Sequence, residues 1–168
     1  VLEIDGARTP DSTDILFRLD ALYPEPPLLA DDPKIAGLQR QLEEWADESF
    51  LWYFLAFSRL RPDATASRPR SRLPRSLRRL LAWLRSGGTW ERPNTALVRG
   101  LGDRLDDLVN FLGGRTFFYA DRPSIADLGV YGMLYTMRLD TIPGSARMLE
   151  QRPALLEFMR RLERKTGG

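Results

Sequence analysis

With 168 residues, 43% of them apolar, the chain has room for one compact unit or two small ones around a real core. It has no cysteine and no histidine, which excludes a cysteine nucleophile, a Ser-His-Asp triad, a disulfide framework and the usual zinc sites. The net charge of +2 is too small to mark the whole chain as a polyanion binder, no apolar run approaches the ~20 residues of a membrane-spanning helix, and no basic-then-apolar start marks a signal peptide. No acidic run has calcium-loop spacing, so no metal is expected. The lack of cysteine fits a reducing cytoplasm.

Val1-Leu2-Glu3-Ile4 alternates apolar and polar like a half-buried strand. Asp5-Gly6 is a strong hairpin turn, and Ala7 to Thr9 form the return strand. Pro10 closes the hairpin, and Asp11-Ser12-Thr13 opens a helix carrying Ile15, Leu16, Leu19 and Leu22. Two strands do not make a stable sheet alone, and no later segment reads as a strand. The chain also begins with Val, so residues are expected to have preceded Val1. Residues 23–34, with Pro24, Pro26, Pro27 and Pro33, read as a linker.

A long helix is predicted from about Pro33 to Leu60, with Ile35, Leu38, Leu42 and Trp45 on one face. Its segment Phe50 to Phe57 is apolar all round, as on a helix buried from several sides or lining an interface or pocket. Core plus dimer contact is one reading of that segment. The other is a cleft wall for an apolar substrate, with Trp52, Tyr53 and Phe57 as pocket candidates. Residues 61–75 read as a loop, and Leu77, Leu80, Leu81 and Leu84 as a short helix stopped by Gly87-Gly88. A further helix is predicted from about Thr95 to Leu112, striped by Leu97, Leu101, Leu105, Leu108 and Leu112. Gly100 and Gly102 lie inside it at ~1 kcal/mol each, a cost that a close helix contact would justify.

Ser124 and Asp127 have the spacing of a capping box, with Asp in place of the commoner Glu. The apolar helix that follows carries Leu128, Val130, Tyr131, Leu134 and Tyr135. This box is a folding signal, since an unsatisfied N–H at an interior helix start is costly. The last helix starts near Pro153 and carries Leu155, Leu156, Met159 and Leu162. Its Arg160, Arg161, Arg164 and Lys165 suit the negative end of the helix dipole. There is no internal repeat.

Three places carry candidate chemistry. The Asp11-Ser12 helix start offers N–H groups and a hydroxyl to a carboxylate and the Asp11 carboxylate to an ammonium, or else simply caps its own helix. Residues 59–99 hold eleven Arg against Asp63 and Glu91, with Trp83 and Trp90 among them. Leucine at helical spacing makes this an Arg-rich solvated face rather than a nucleic-acid site. Asp103 and the pair Asp106–Asp107 are adjacent carboxylates with Arg104 between them, which fits an ordinary helix surface.

The hairpin with its Asp11-Ser12 helix, followed by the Ser124-Ile125-Ala126-Asp127 start of an interior helix, resembles the glutathione S-transferase family over nearly the whole chain. The resemblance implies a mainly α fold: an all-helical glutathione-transferase C-terminal domain (35–168), preceded by a linker (24–34) and the hairpin and last helix of a thioredoxin-like domain (1–23). It implies glutathione and a small apolar electrophile as substrates, no metal, a cytoplasmic homodimer, and Asp11 and Ser12 as the residues that hold the γ-glutamyl head group. The family's opening strand-helix-strand unit, which carries the thiol-activating Tyr, Ser or Cys, is not among these residues. The catalytic group is therefore expected before Val1, and the 168 residues alone are expected not to conjugate. The alternative is a non-catalytic binding or protein-docking module on the same scaffold. Reductase, isomerase and dehalogenating relatives stay open.

Overall fold

The computed structural model describes the backbone of residues 1–60 and 93–167 and the side chains of 1–57 and 95–167. The loop predicted at 61–75, the helix predicted at 77–84 and most of the basic stretch lie outside the described residues. Strands β1 (Leu2–Ile4) and β2 (Ala7–Thr9) pair antiparallel, with Glu3 opposite Arg8. Asp5 and Gly6 both have positive φ, 51° and 77°, which matches the twist a two-residue hairpin needs. Helix α1 (Ser12–Leu22) follows. Its Arg18 guanidinium donates to the Ile4 and Ala7 carbonyls and to the Thr9 hydroxyl, fastening the helix to both strands.

Five more helices are described: α2 (Pro33–Leu60), α3 (Pro93–Leu112), α4 (Ile125–Arg138), α5 (Ser145–Glu150) and α6 (Pro153–Thr166). Helix α4 is the centre of the bundle, packed along α2 and against α5 and α6. The leucine stripe of α3 points inward as its spacing predicts: Leu101, Leu105, Leu108 and Leu112 are buried, each worth roughly 2 kcal/mol in area removed from water. They meet Leu42, Ala46 and Phe50 of α2 and Phe158 of α6 in one core. No residue of α1 is fully buried, so the bulk of the core is helical and lies after the linker.

The predicted role of the two glycines of α3 divides. A Cβ on Gly100 would stand 2.5 Å from the Tyr53 hydroxyl of α2, so this glycine does permit a close helix contact. A Cβ on Gly102 would meet only ordinary contacts at 3.5 Å and beyond.

Two features were not anticipated. Helix α5 is six residues long, too short to show a periodic stripe, and is set by Asp140, whose Oδ1 accepts the N–H groups of Gly144 and Ala146. The linker is held on both sides rather than hanging between elements. Leu28 donates its N–H to Asp20 of α1 at 2.7 Å, its carbonyl accepts the Ile125 N–H at 2.8 Å, and Arg122 donates to the Pro27 and Leu29 carbonyls. One expected face is also corrected. Val130 and Leu134 of α4 are buried, but Leu128 and Tyr131 are only partly so, and Tyr135 is 40% exposed beneath the Arg138 guanidinium.

Candidate functional site

A groove of about 540 Å³ runs between α1 and α2. Asp11, Thr13, Asp14 and Phe17 line it from one side, and Arg40, Glu43, Glu44, Asp47 and Glu48 from the other. Asp11 has the extended backbone of an N-cap, and its Oδ1 accepts the Thr13 N–H at 2.9 Å and the Asp14 N–H at 3.2 Å. Ser12 stands exposed at the head of the helix, outside the groove's lining. The Thr13 hydroxyl donates to Glu43 Oε1 at 2.8 Å, so the first turn of α1 is tied to α2.

Glu43 is the unusual member. It is 4% exposed and packs over Gly129 of α4; a Cβ there would be 2.8 Å from Glu43 Cγ. Burial pushes the Glu43 carboxyl above its ordinary range, the Thr13 hydrogen bond opposes this, and the charges of Asp47, Asp11 and Glu44 add to the rise. Arg40 lies over the ring of Phe17, 5.5 Å from its centroid. The groove is thus lined by six carboxylates and one guanidinium among the described residues. No three of these acids are gathered closely enough to hold a metal ion.

A second cavity, about 290 Å³, lies farther along α2 and is lined by Phe50, Leu51, Phe54, Met133, Thr136, Met137, Thr141 and Ile142. Thr136 and Thr141 turn their hydroxyls to backbone carbonyls at 2.7 and 2.6 Å, leaving methyl, ring and thioether surface to the space. The two cavities are joined through the phase of α2. Arg40, Glu43, Glu44, Asp47, Glu48, Leu51 and Phe54 follow one another at helical spacing along one face. That face changes from charged to apolar between Glu48 and Leu51, a step of about 5 Å at ~1.5 Å per residue.

Trp52, Tyr53 and Phe57 lie outside the lining of this cavity. Phe57 is in the core, Tyr53 packs over Gly100, and Trp52 is 57% exposed with its ring edge-on to Tyr53 at 4.8 Å. Asp106 and Asp107 form ion pairs, with Arg152 at 2.8 Å and Arg104 at 3.1 Å, which leaves neither for acid-base work. The Ser124 box is present, and it does more than close its helix. Asp127 Oδ2 accepts the Ser124 N–H at 2.8 Å and the Ser124 hydroxyl at 2.6 Å, while Oδ1 accepts the Phe118 N–H at 2.8 Å. Burial raises its carboxyl to about 6 although all these donors pull the other way.

Sequence reasoning missed Glu43 and Arg40. The readable signal was at Glu43: Gln39, Leu42, Glu43, Ala46 and Phe50 recur at spacings of three and four and all are buried, so an acid stood on the inward face of α2.

Among the described residues no helix is long and apolar enough to cross a membrane. No curated protein and no solved structure matches the chain. A family model does: residues 98–167, spanning most of α3 and all of α4, α5 and α6, match the model described as glutathione S-transferase, C-terminal domain. The part of the bundle from most of α3 to α6, with the Ser124 to Asp127 helix start, is accordingly similar to the C-terminal domain of the glutathione S-transferase family.

Proposed function

We propose that this protein binds glutathione in the groove between α1 and α2 and, together with a thioredoxin-like unit that supplies the thiol-activating donor, joins the glutathione sulfur to a small apolar electrophile. Glutathione brings the thiol; the electrophile accepts the new C–S bond. The single observation that carries the reading is the face of α2, charged along the groove and apolar one turn later. A charged peptide and an apolar partner would lie end to end along it, held at short range rather than meeting by diffusion. In this reading Asp11 and Ser12 mark the peptide end, and the cavity at Phe50, Leu51, Phe54 and Met133 takes the electrophile in place of Trp52, Tyr53 and Phe57.

The exposed Trp52 and Leu55 support a homodimer through that side of α2, and we place the protein in the cytoplasm. Sedimentation of the full chain tests the dimer, with a mass of two chains expected.

Calorimetry with glutathione and with S-hexylglutathione tests the function. The hexyl tail is expected to raise affinity about tenfold, since each buried methylene is worth ~0.8 kcal/mol and only part of the tail is enclosed. Met133→Trp fills the apolar cavity and is expected to abolish that gain while leaving glutathione binding in place. Absence of glutathione binding, or a hexyl tail without effect, refutes the reading. Capture of a specific protein without glutathione affinity favours the docking module. The 168 residues alone are expected not to turn over a generic electrophile.

A further inference from the structure

We propose that the pocket between α6 and the loop preceding α4 binds a phosphate dianion, the head group of a small phosphorylated molecule, on Arg161, Arg164, Lys165 and Thr116. The pocket has about 200 Å³ and is lined by these four residues and Phe117. It shares no residue with the groove or with the apolar cavity, so its occupant is independent of glutathione.

Arg161, Arg164 and Lys165 stand at i, i+3 and i+4, so one face of α6 carries three cations. Arg164 and Lys165 lie in the last turn, where complementing the helix dipole accounts for them. Arg161 precedes that turn and is partly buried. One of its N–H groups reaches the Arg115 carbonyl at a long 3.5 Å, and its Nε, closed from water, meets no acceptor among the described residues. A guanidinium donor withdrawn from solvent and left unmet is costly, and a bound anion would remove that cost.

The charge around Arg161 is not balanced by the protein. Glu157 serves both Arg160, at 2.9 Å, and Arg164, at 3.3 Å. Glu163 is committed to Tyr131 and Arg138. Arg161 and Lys165 form no ion pair with a described residue, and no described carboxylate lines the pocket. The opposite wall is fixed in advance. The Phe117 ring is fully buried, edge-on to Phe158 at 6.5 Å, and Asp127 holds the N–H of Phe118 beside it. The Thr116 hydroxyl is exposed and makes no hydrogen bond with a described residue, so it is free to donate.

Three cations and a hydroxyl exceed what a carboxylate can use, with one charge and two oxygens. A phosphate monoester brings about −1.5 to −2 charges at pH 7 and three acceptor oxygens. A guanidinium fork takes two of them and an ammonium the third. A phosphodiester, with one charge and two free oxygens, falls short as a carboxylate does. Pockets for whole drug-sized ligands have about 300–1,000 Å³, so this one encloses a head group and leaves the rest of the molecule outside.

The test is calorimetry on the full chain, at fixed ionic strength, with glycerol 3-phosphate, inorganic phosphate, dimethyl phosphate and acetate. Glycerol 3-phosphate is expected to bind about tenfold tighter than dimethyl phosphate or acetate. Binding tighter than that of inorganic phosphate assigns the pocket to an esterified phosphate, and equal binding assigns it to phosphate itself. The double variant Arg164→Met, Lys165→Met removes two exposed side chains and is expected to weaken glycerol 3-phosphate about tenfold. Arg161→Lys keeps the charge, loses the fork and is expected to weaken it about fivefold. Arg147→Met, exposed on α5 and outside the pocket, is expected to change nothing. Equal affinity for glycerol 3-phosphate and dimethyl phosphate, a double variant that binds like wild type, or an Arg147→Met loss as large as the double variant's overturns the site.

Discussion

At the start of α1 the Asp11 carboxylate stands in water and closes only its own first turn. At the start of α4 the Asp127 carboxylate is wholly buried, holds the Ser124 N–H and hydroxyl, and reaches out of its helix to the N–H of Phe118. The side chain is the same and so is the formal role, yet one is a local cap and the other a tertiary joint. Water can replace Asp11 on its two donors. Nothing replaces Asp127, because the donors it satisfies have no route to solvent. The exposed start, with its chemistry reachable, borders the groove; the buried one holds the domain together.

The comparison is broken most severely at Asp127. Asp127→Ala strands three donors inside the protein and is expected to cost about 3–5 kcal/mol in urea unfolding, enough to unfold much of the population at 37 °C. A loss under about 1 kcal/mol would show that water enters the site and that the two caps are alike after all.

The same residue gives a pH dependence. Its carboxyl is raised to about 6 from an ordinary 3.8, so the native state binds this proton more tightly than the unfolded chain does. Its contribution to stability is therefore fully present below about pH 4 and lost as pH rises through about 6, on the order of 3 kcal/mol in all. The sign is read from the difference between wild type and Asp127→Asn: wild type gains on the variant between pH 7 and pH 4.5. An unchanged difference across that window would mean the three donors outweigh burial.

Gly129→Ala attacks the link between the two starts. Gly129 is in the second turn of α4 and makes room for Glu43, which in turn holds Thr13 of α1. Overpacking at 2.8 Å from Glu43 Cγ outweighs the ~1 kcal/mol of helix propensity gained, for a net loss of about 1–2 kcal/mol and a displaced Glu43. A variant as stable as wild type would show the contact to be slack. Asp11→Ala removes a cap in water and is expected to cost about 1 kcal/mol, measured by the same unfolding.

What could be read in advance follows from this difference between local and tertiary bonds. The Asp5-Gly6 turn, the Asp11 and Ser124 starts and the α3 leucine stripe are signals within a few residues of one another, and each lies where its spacing predicts. The third donor to Asp127 was hidden, because Phe118 lies nine residues away in a loop. The linker's fastening was hidden as well, since Arg122 and Pro27 are 95 residues apart. Within Phe50 to Phe57 periodicity has nothing to measure. Every position is apolar, so no phase separates the cavity-lining Phe50, Leu51 and Phe54 from Trp52, Tyr53 and Phe57.

The smallest expected effect separates the two serines beside these aspartates. The Ser124 hydroxyl is bound to Asp127 at 2.6 Å, whereas the Ser12 hydroxyl makes no hydrogen bond with a described residue and is exposed. Ser12→Ala is therefore expected to leave stability within 0.5 kcal/mol of wild type. In the proposed function Ser12 marks the peptide end, where its hydroxyl would add one donor to the carboxylate of a γ-glutamyl head group. Loss of one such bond is worth about 1 kcal/mol, or roughly a fivefold drop in glutathione affinity. Equal affinity in Ser12→Ala would leave Ser12 as the first residue of a helix and nothing more.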